Sequence, residues 1–199
     1  MIVALNDDPI RITAKDRQEL LLGFKRRGLD FNGLFFKCNK DFYDRYAPFI
    51  GNRSEEPGKY MAWDFERLCE IYAIFPNNTA VPVAMVVSND YGNVAGYLAE
   101  FVAGRTLKAV YGEAAITKDP QLTAEYVRII REVESAVKKL HAVGTAHGDL
   151  SYTNILVSPD GEFKLVDPMR VKSMEYSIDF DNYSLRELRR GADALVASL

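Results

Sequence analysis

Two hydrophobic periods divide this chain. Met61, Phe65, Leu68, Tyr72 and Phe75 recur at helical spacing, which predicts an amphipathic helix over Lys59–Phe75. The same period runs through Val127, Ile130, Val133, Val137 and Leu140. Asp119-Pro120 caps that stretch at its start and Gly144 stands where a C-terminal glycine belongs, so this is expected to be the longest helix. A further helix is predicted over Ala14–Arg27, and the chain turns helical again after Gly104. Elsewhere the apolar runs are short and bounded by turn residues, as strands are. Leu34–Cys38, LFFKC, follows the turn signal Asn32-Gly33. Val81–Ser88 and Val94–Val102 flank a polar SNDYGN turn and should pair antiparallel. IVAL-NDDP-IRIT at the start reads as a small hairpin, and the polar, proline- and glycine-bearing stretch Asn39–Lys59 as a loop or insertion.

Composition narrows the class. The chain has 199 residues, room for one compact domain or two small lobes. A formal net charge of -3 argues against a dominant nucleic-acid footprint. Cys38 and Cys69 form neither a disulfide framework nor a zinc pattern, and each is expected to be a small buried apolar residue. The start, MIVALNDDP, lacks the basic region of a signal peptide, and the run VPVAMVV is too short to span a bilayer. A cytoplasmic protein with no membrane partner is expected.

The candidate chemistry lies in HGDLSYTNIL, His147–Leu156. It is followed by the turn SPDG and then FKLVD. The midpoint between Asn154 and Asp167 falls inside that turn, so a hairpin would make them cross-strand neighbours. Asp149 lies on the loop just before. Three oxygen-bearing side chains then converge at one end of a hairpin. Magnesium takes oxygen ligands and is commonly held by one or two protein groups plus substrate phosphates. Asn154 and Asp167 are the candidate metal ligands, and Asp149 the group that accepts a proton from an attacking hydroxyl. Alone, Asp149 and Asn154 would be read as turn and cap residues. Asp167 at matching register is what argues for a site. His147 is expected to be a structural anchor.

HGDLSYTNIL followed by KLVDP resembles the catalytic loop and metal segment of the protein-kinase-like superfamily. The Gly148 of His147-Gly148-Asp149 is similar to atypical members: RIO kinases, the KEOPS-complex kinase and aminoglycoside phosphotransferases. The resemblance implies a catalytic role for Asp149 and metal binding by Asn154 and Asp167. It implies that Lys37 contacts the phosphates of ATP and that Glu66 pairs with it, with Glu70 as the competing acid one turn later. Glu100, Phe101 and Val102 resemble the hinge that meets adenine, and Asp179 and Asp181 the acidic start of the helix beneath the catalytic loop. Each has an ordinary alternative: Lys37 as a solvated strand residue, Glu66 as an exposed helix acid, the hinge as an edge strand. There are also departures. No G-x-G-x-x-G precedes Lys37, and Gly23 and Gly28 are too sparse to make one. The metal segment reads Val-Asp-Pro, and Pro168 should keep Asp167 extended. No Ala-Pro-Glu segment is visible, and Gly148 replaces the usual arginine, which speaks against control by loop phosphorylation.

The fold these residues imply is α+β and two-lobed. A small, mostly β N-terminal lobe would cover residues 1–102 and carry one regulatory-type helix. A truncated, mostly α C-terminal lobe would cover 103–199. The implied activity is ATP- and Mg-dependent phosphate transfer to a hydroxyl of a protein or small molecule. The alternative is a nucleotide-binding pseudokinase or ATPase acting as an interaction module.

Overall fold

The structure is a computed structural model of the chain. It describes residues 34–39, 53–56, 61–87, 94–169 and 173–199. The expected N-terminal hairpin, the helix over Ala14–Arg27 and the SNDYGN turn lie outside the described residues. The fold is mixed α and β. It has small, mainly antiparallel sheets and, among the described residues, four helices.

The chain divides into two compact units, one made of Met1–Glu66 with Val81–Phe101, the other of Arg67–Ala80 with Val102–Leu199. Arg67–Ala80 thus groups with the C-terminal part of the chain.

In the first unit, β1 (Leu34–Asn39), β2 (Arg53–Glu56), β3 (Pro82–Val87) and β4 (Val94–Glu100) form one sheet in the order β2-β1-β4-β3. β3 and β4 pair antiparallel, as the polar turn between them led one to expect. Their register shifts between Pro82 and Ala84, an irregularity beside a proline that lacks a ladder donor. β2 was not foreseen. Its sequence, RSEE, carries no apolar alternation, yet it pairs parallel to β1 with Lys37 opposite Ser54. Helix α1 (Met61–Ile74) begins in this unit. Met61 and Phe65 are buried with Ala84, Tyr97, Leu98 and Ala99, and the Phe65 and Tyr97 rings lie 5.6 Å apart.

The second unit is built on α2 (Leu107–Thr117), α3 (Pro120–Ala142) and α4 (Met174–Ala197). α3 follows its sequence signals closely. The Asp119 side chain accepts from Gln121 N at 2.7 Å, Pro120 occupies the first turn, and Gly144 takes a positive φ of 79° just beyond the end. Ile129, Ile130, Val133, Val137 and Leu140 are buried, each contributing about 1.5–3 kcal/mol against exposure. The longest described helix is instead α4, with 24 residues against 23 for α3. Its apolar stripe is broken by buried Ser177, Asp181 and Ser184, which hides its length from a periodicity reading.

A short sheet completes this unit: β5 (Arg105–Thr106), β6 (Ile155–Val157) and β7 (Phe163–Leu165) in that order. The segment after α1 adds to its edge. Leu165 N donates to Asn78 O at 2.8 Å, Ala80 N donates to Leu165 O at 3.2 Å, and Thr79 bridges Leu165 in parallel.

Candidate functional site

The β6–β7 hairpin forms where expected, but its register differs by one residue. Ile155 pairs with Leu165, Leu156 with Lys164 and Val157 with Phe163. Asn154 therefore faces Val166, whose N–H reaches Asn154 O at 3.0 Å, and Asp167 is the next residue along. The turn explains the shift. Ser158 N donates to Glu162 O at 2.9 Å, which leaves a three-residue loop closed by Gly161 at φ 84°. Such loops end on a left-handed glycine. Asp167 departs from expectation in a second way. Pro168 does not hold it extended: its φ is 57°, in the left-handed region. A non-glycine residue there costs about 1–2 kcal/mol, and residues kept in such conformations cluster at functional sites.

Asp149 and Asn154 are joined. The Asn154 side-chain nitrogen donates to Asp149 O at 2.9 Å and to Asp149 Oδ2 at 2.8 Å. Both amide hydrogens are thus used on the aspartate, and Asn154 Oδ1 is turned the other way as an oxygen donor. Asp149 and Asp167 are half-buried. Oxygen donors of this kind, one amide and one carboxylate, suit a hard cation such as magnesium.

The loop that carries Asp149 is anchored from below. Asp181 is fully buried on α4 and accepts from His147 N at 2.8 Å and Gly148 N at 2.9 Å. His141 Nε2 lies 3.1 Å from the same carboxylate. The chain's two histidines therefore converge on one acid. Asp179, the other candidate on this helix, is exposed. His147 is the expected anchor. Its Nε2 sits 3.1 Å from Val166 O, and a carbonyl only accepts, so Nε2 bears the proton. Its Nδ1 is buried with no hydrogen-bond partner among the described residues. Burial holds the imidazole pKa below its ordinary value, although Asp181 and Asp167 pull the other way. Met169 N donates to His147 O at 2.9 Å, tying the loop to the segment after Asp167. Gly148 has φ 79°, and a Cβ there would lie 2.1 Å from Met169 O. No side chain fits there. Tyr152 adds an anchor that the sequence did not flag. It donates to Glu187 O on α4 at 3.0 Å and packs against Tyr111.

In the first unit, Lys37 is only 3% exposed, not a solvated strand residue. Its Nζ lies 3.5 Å from Asp64 Oδ2 and 6.0 Å from the centre of the Tyr97 ring. The acid the structure brings to Lys37 is thus Asp64, a residue absent from the sequence expectation. Glu66 is exposed on α1, and Glu70 pairs with Arg67 at 2.9 Å. A signal for Asp64 existed: it stands three residues after Met61 and four before Leu68, on the buried stripe, where an acid needs a partner. Glu100 ends β4; its N–H donates to Val81 O at 2.8 Å and its carboxylate accepts from Val81 N at 3.2 Å. Phe101 is exposed and Val102 is buried. Cys69 is half-buried, and the Cys38 side chain lies outside what the structure describes. Among the described residues no helix is long and apolar enough to cross a membrane.

Curated proteins with related sequences point the same way as the loop. "Probable serine/threonine-protein kinase PknB" of Lactococcus lactis subsp. lactis (strain IL1403) is 36% identical over 107 residues, 50% of this chain and 16% of that protein. "Probable serine/threonine-protein kinase mkcD" of Dictyostelium discoideum is 31% identical over 150 residues, 73% of this chain and 22% of that protein. The chain is similar to serine/threonine-protein kinases over part of its length. It spans about a fifth of the length of these relatives. No family model matches it.

Proposed function

We propose that this protein is an ATP- and magnesium-dependent phosphotransferase, an atypical kinase that moves a γ-phosphate to a hydroxyl. The observation that carries the reading is the clasp of Asp149 by the Asn154 amide, at 2.9 Å and 2.8 Å. It holds a loop carboxylate in place and turns Asn154 Oδ1 outward as a cation ligand. Asn154 and Asp167 would hold magnesium, which when bound neutralises phosphate charge. Lys37, oriented by Asp64, would contact the nucleotide phosphates. The backbone of Glu100–Val102 would meet adenine, with Phe101 and Val102 supplying the polar groups. The two compact units would be the two lobes of a kinase-like fold. Asp149 would orient the acceptor hydroxyl and take its proton as the oxygen attacks phosphorus. Catalysis of this kind is positioning and charge stabilisation. Gly148, which leaves no room for an arginine, supports a place among the small atypical kinases, with a protein serine or a small-molecule hydroxyl as acceptor.

The test is a parallel measurement of nucleotide affinity and phosphate transfer in wild type and Asp149→Asn. Affinity should persist, because the nucleotide is held by other groups. Transfer should fall by about 10²–10⁴-fold, the usual worth of a general base. Normal transfer by the variant places the chemistry elsewhere. A wild type that binds nucleotide but transfers nothing to protein, sugar or water is an interaction module instead.

A further inference from the structure

One buried cation has no part in the scheme so far. Arg67 is only 3% exposed, an expensive place for a guanidinium unless its hydrogens are matched. Its Nη1 donates to the hydroxyl of Thr145 and lies 2.9 Å from Glu70 Oε2. Thr145 Oγ1 in turn donates to Glu70 Oε2 at 3.4 Å. The three side chains close a ring. Thr145 is itself held, its N–H reaching Leu140 O at 3.0 Å at the end of α3. It stands two residues before His147 and four before Asp149.

The place of Thr145 in the chain gives the ring its meaning. It ties the part of α1 from Arg67 on to the stretch that leads into Asp149. The far end of α1 is tied as well. Asn78 and Ala80 bond to Leu165, and the Asn78 side chain donates to Phe163 O at 3.1 Å. The segment Arg67–Ala80 is thus tied at two places, and it cannot shift against the loop without breaking hydrogen bonds. Those bonds are costly to leave unmade.

We infer that Arg67 is a positioning residue. With Thr145 and Glu70 it locks the part of α1 from Arg67 on to the stretch of chain that leads into Asp149, and so holds the approach to that aspartate. The inference rests on the phosphotransferase reading for its catalytic meaning, but the lock itself is measurable without nucleotide.

The experiment uses Thr145→Val, which keeps the shape and removes the hydroxyl, and Thr145→Ser, which restores it. Amide hydrogen exchange of α1 is followed in nucleotide-free protein. Phosphate transfer and affinity for a non-hydrolysable ATP analogue with magnesium are measured in the same variants. Thr145→Val should speed exchange at Leu68–Tyr72 by about tenfold or more, the worth of one hydrogen bond to a charged group. It should slow transfer several-fold with little change in analogue affinity, because it acts on the approach to Asp149. Thr145→Ser should return exchange and transfer to near wild type. Unchanged exchange in Thr145→Val overturns the lock. Unchanged transfer, or a loss of affinity as large as the loss of transfer, overturns the route through Asp149. A wild type that binds no analogue, while its exchange still responds to Thr145→Val, overturns the phosphotransferase reading and supports the lock.

Discussion

Asp149 and Lys37 are both charged groups held still, but by different means. The loop of Asp149 is fastened mostly through its backbone. Asp181 takes two amide hydrogens, Met169 donates to His147 O, Lys108 N reaches Tyr152 O at 3.0 Å, and Asn154 clasps the aspartate. Lys37 is placed by a side-chain ion pair of 3.5 Å with a helix residue. Backbone contacts from several elements over-determine a geometry, whereas the meeting of Lys37 and Asp64 is one between side chains. The loop is fixed by its backbone; the lysine meets an acid across a strand and a helix.

The strongest way to break this contrast is Asp181→Ala. It strands the buried amides of His147 and Gly148 and should cost about 3–5 kcal/mol. Urea unfolding checks it, and a wild-type midpoint would mean that the loop is held by something other than Asp181. On the lysine side the two partners should behave alike, because both are buried. Asp64→Ala takes a carboxylate from beside a buried ammonium and should cost about 3 kcal/mol. Lys37→Met takes the ammonium from beside a buried carboxylate and should cost about as much, while nucleotide affinity drops. A loss confined to one of the two variants would show that the pair is not what holds these charges.

Gly148→Ala sharpens the loop half. The left-handed backbone and the contact with Met169 O should together cost at least about 2 kcal/mol, again read from denaturant unfolding. The smallest effect is expected from acid. His147 is neutral when folded, its pKa held below 6.5 by burial. As pH falls below about 6.5, the unfolded chain takes up a proton there that the folded one refuses, so stability declines with falling pH. The decline continues until the folded pKa is reached and amounts to about 1.4 kcal/mol per unit of depression. His147→Gln should flatten this part of the profile between about pH 7 and 5.5. An unchanged slope would assign it to other groups.

Much of this was legible from local rules. The cap at Asp119, the proline and the stripe of α3 are governed by neighbours three and four residues away, so the chain itself carries the signal. The β3–β4 pairing and the Asp149–Asn154 spacing were legible for the same reason. The hairpin register was missed by one residue, because a three-residue loop with left-handed Gly161 closes differently from a turn centred on its midpoint. β2 was missed because RSEE carries no alternation, and a parallel partner is chosen by the exposed edge of β1. Pro168 argued for an extended Asp167, and the surrounding contacts overrode it.

Sequence by itself determined the helices with clean stripes, the strands of the first sheet's core and the composition of the loop that carries Asp149. Each rests on interactions within a few residues. Tertiary structure alone decided that Asp64 meets Lys37, that Asp181 binds the loop amides, and that Arg67 reaches Thr145, 78 positions away. These contacts join side chains distant in sequence. Burial strengthens them by leaving no water to stand in for a missing partner, and no local period announces which partner that will be.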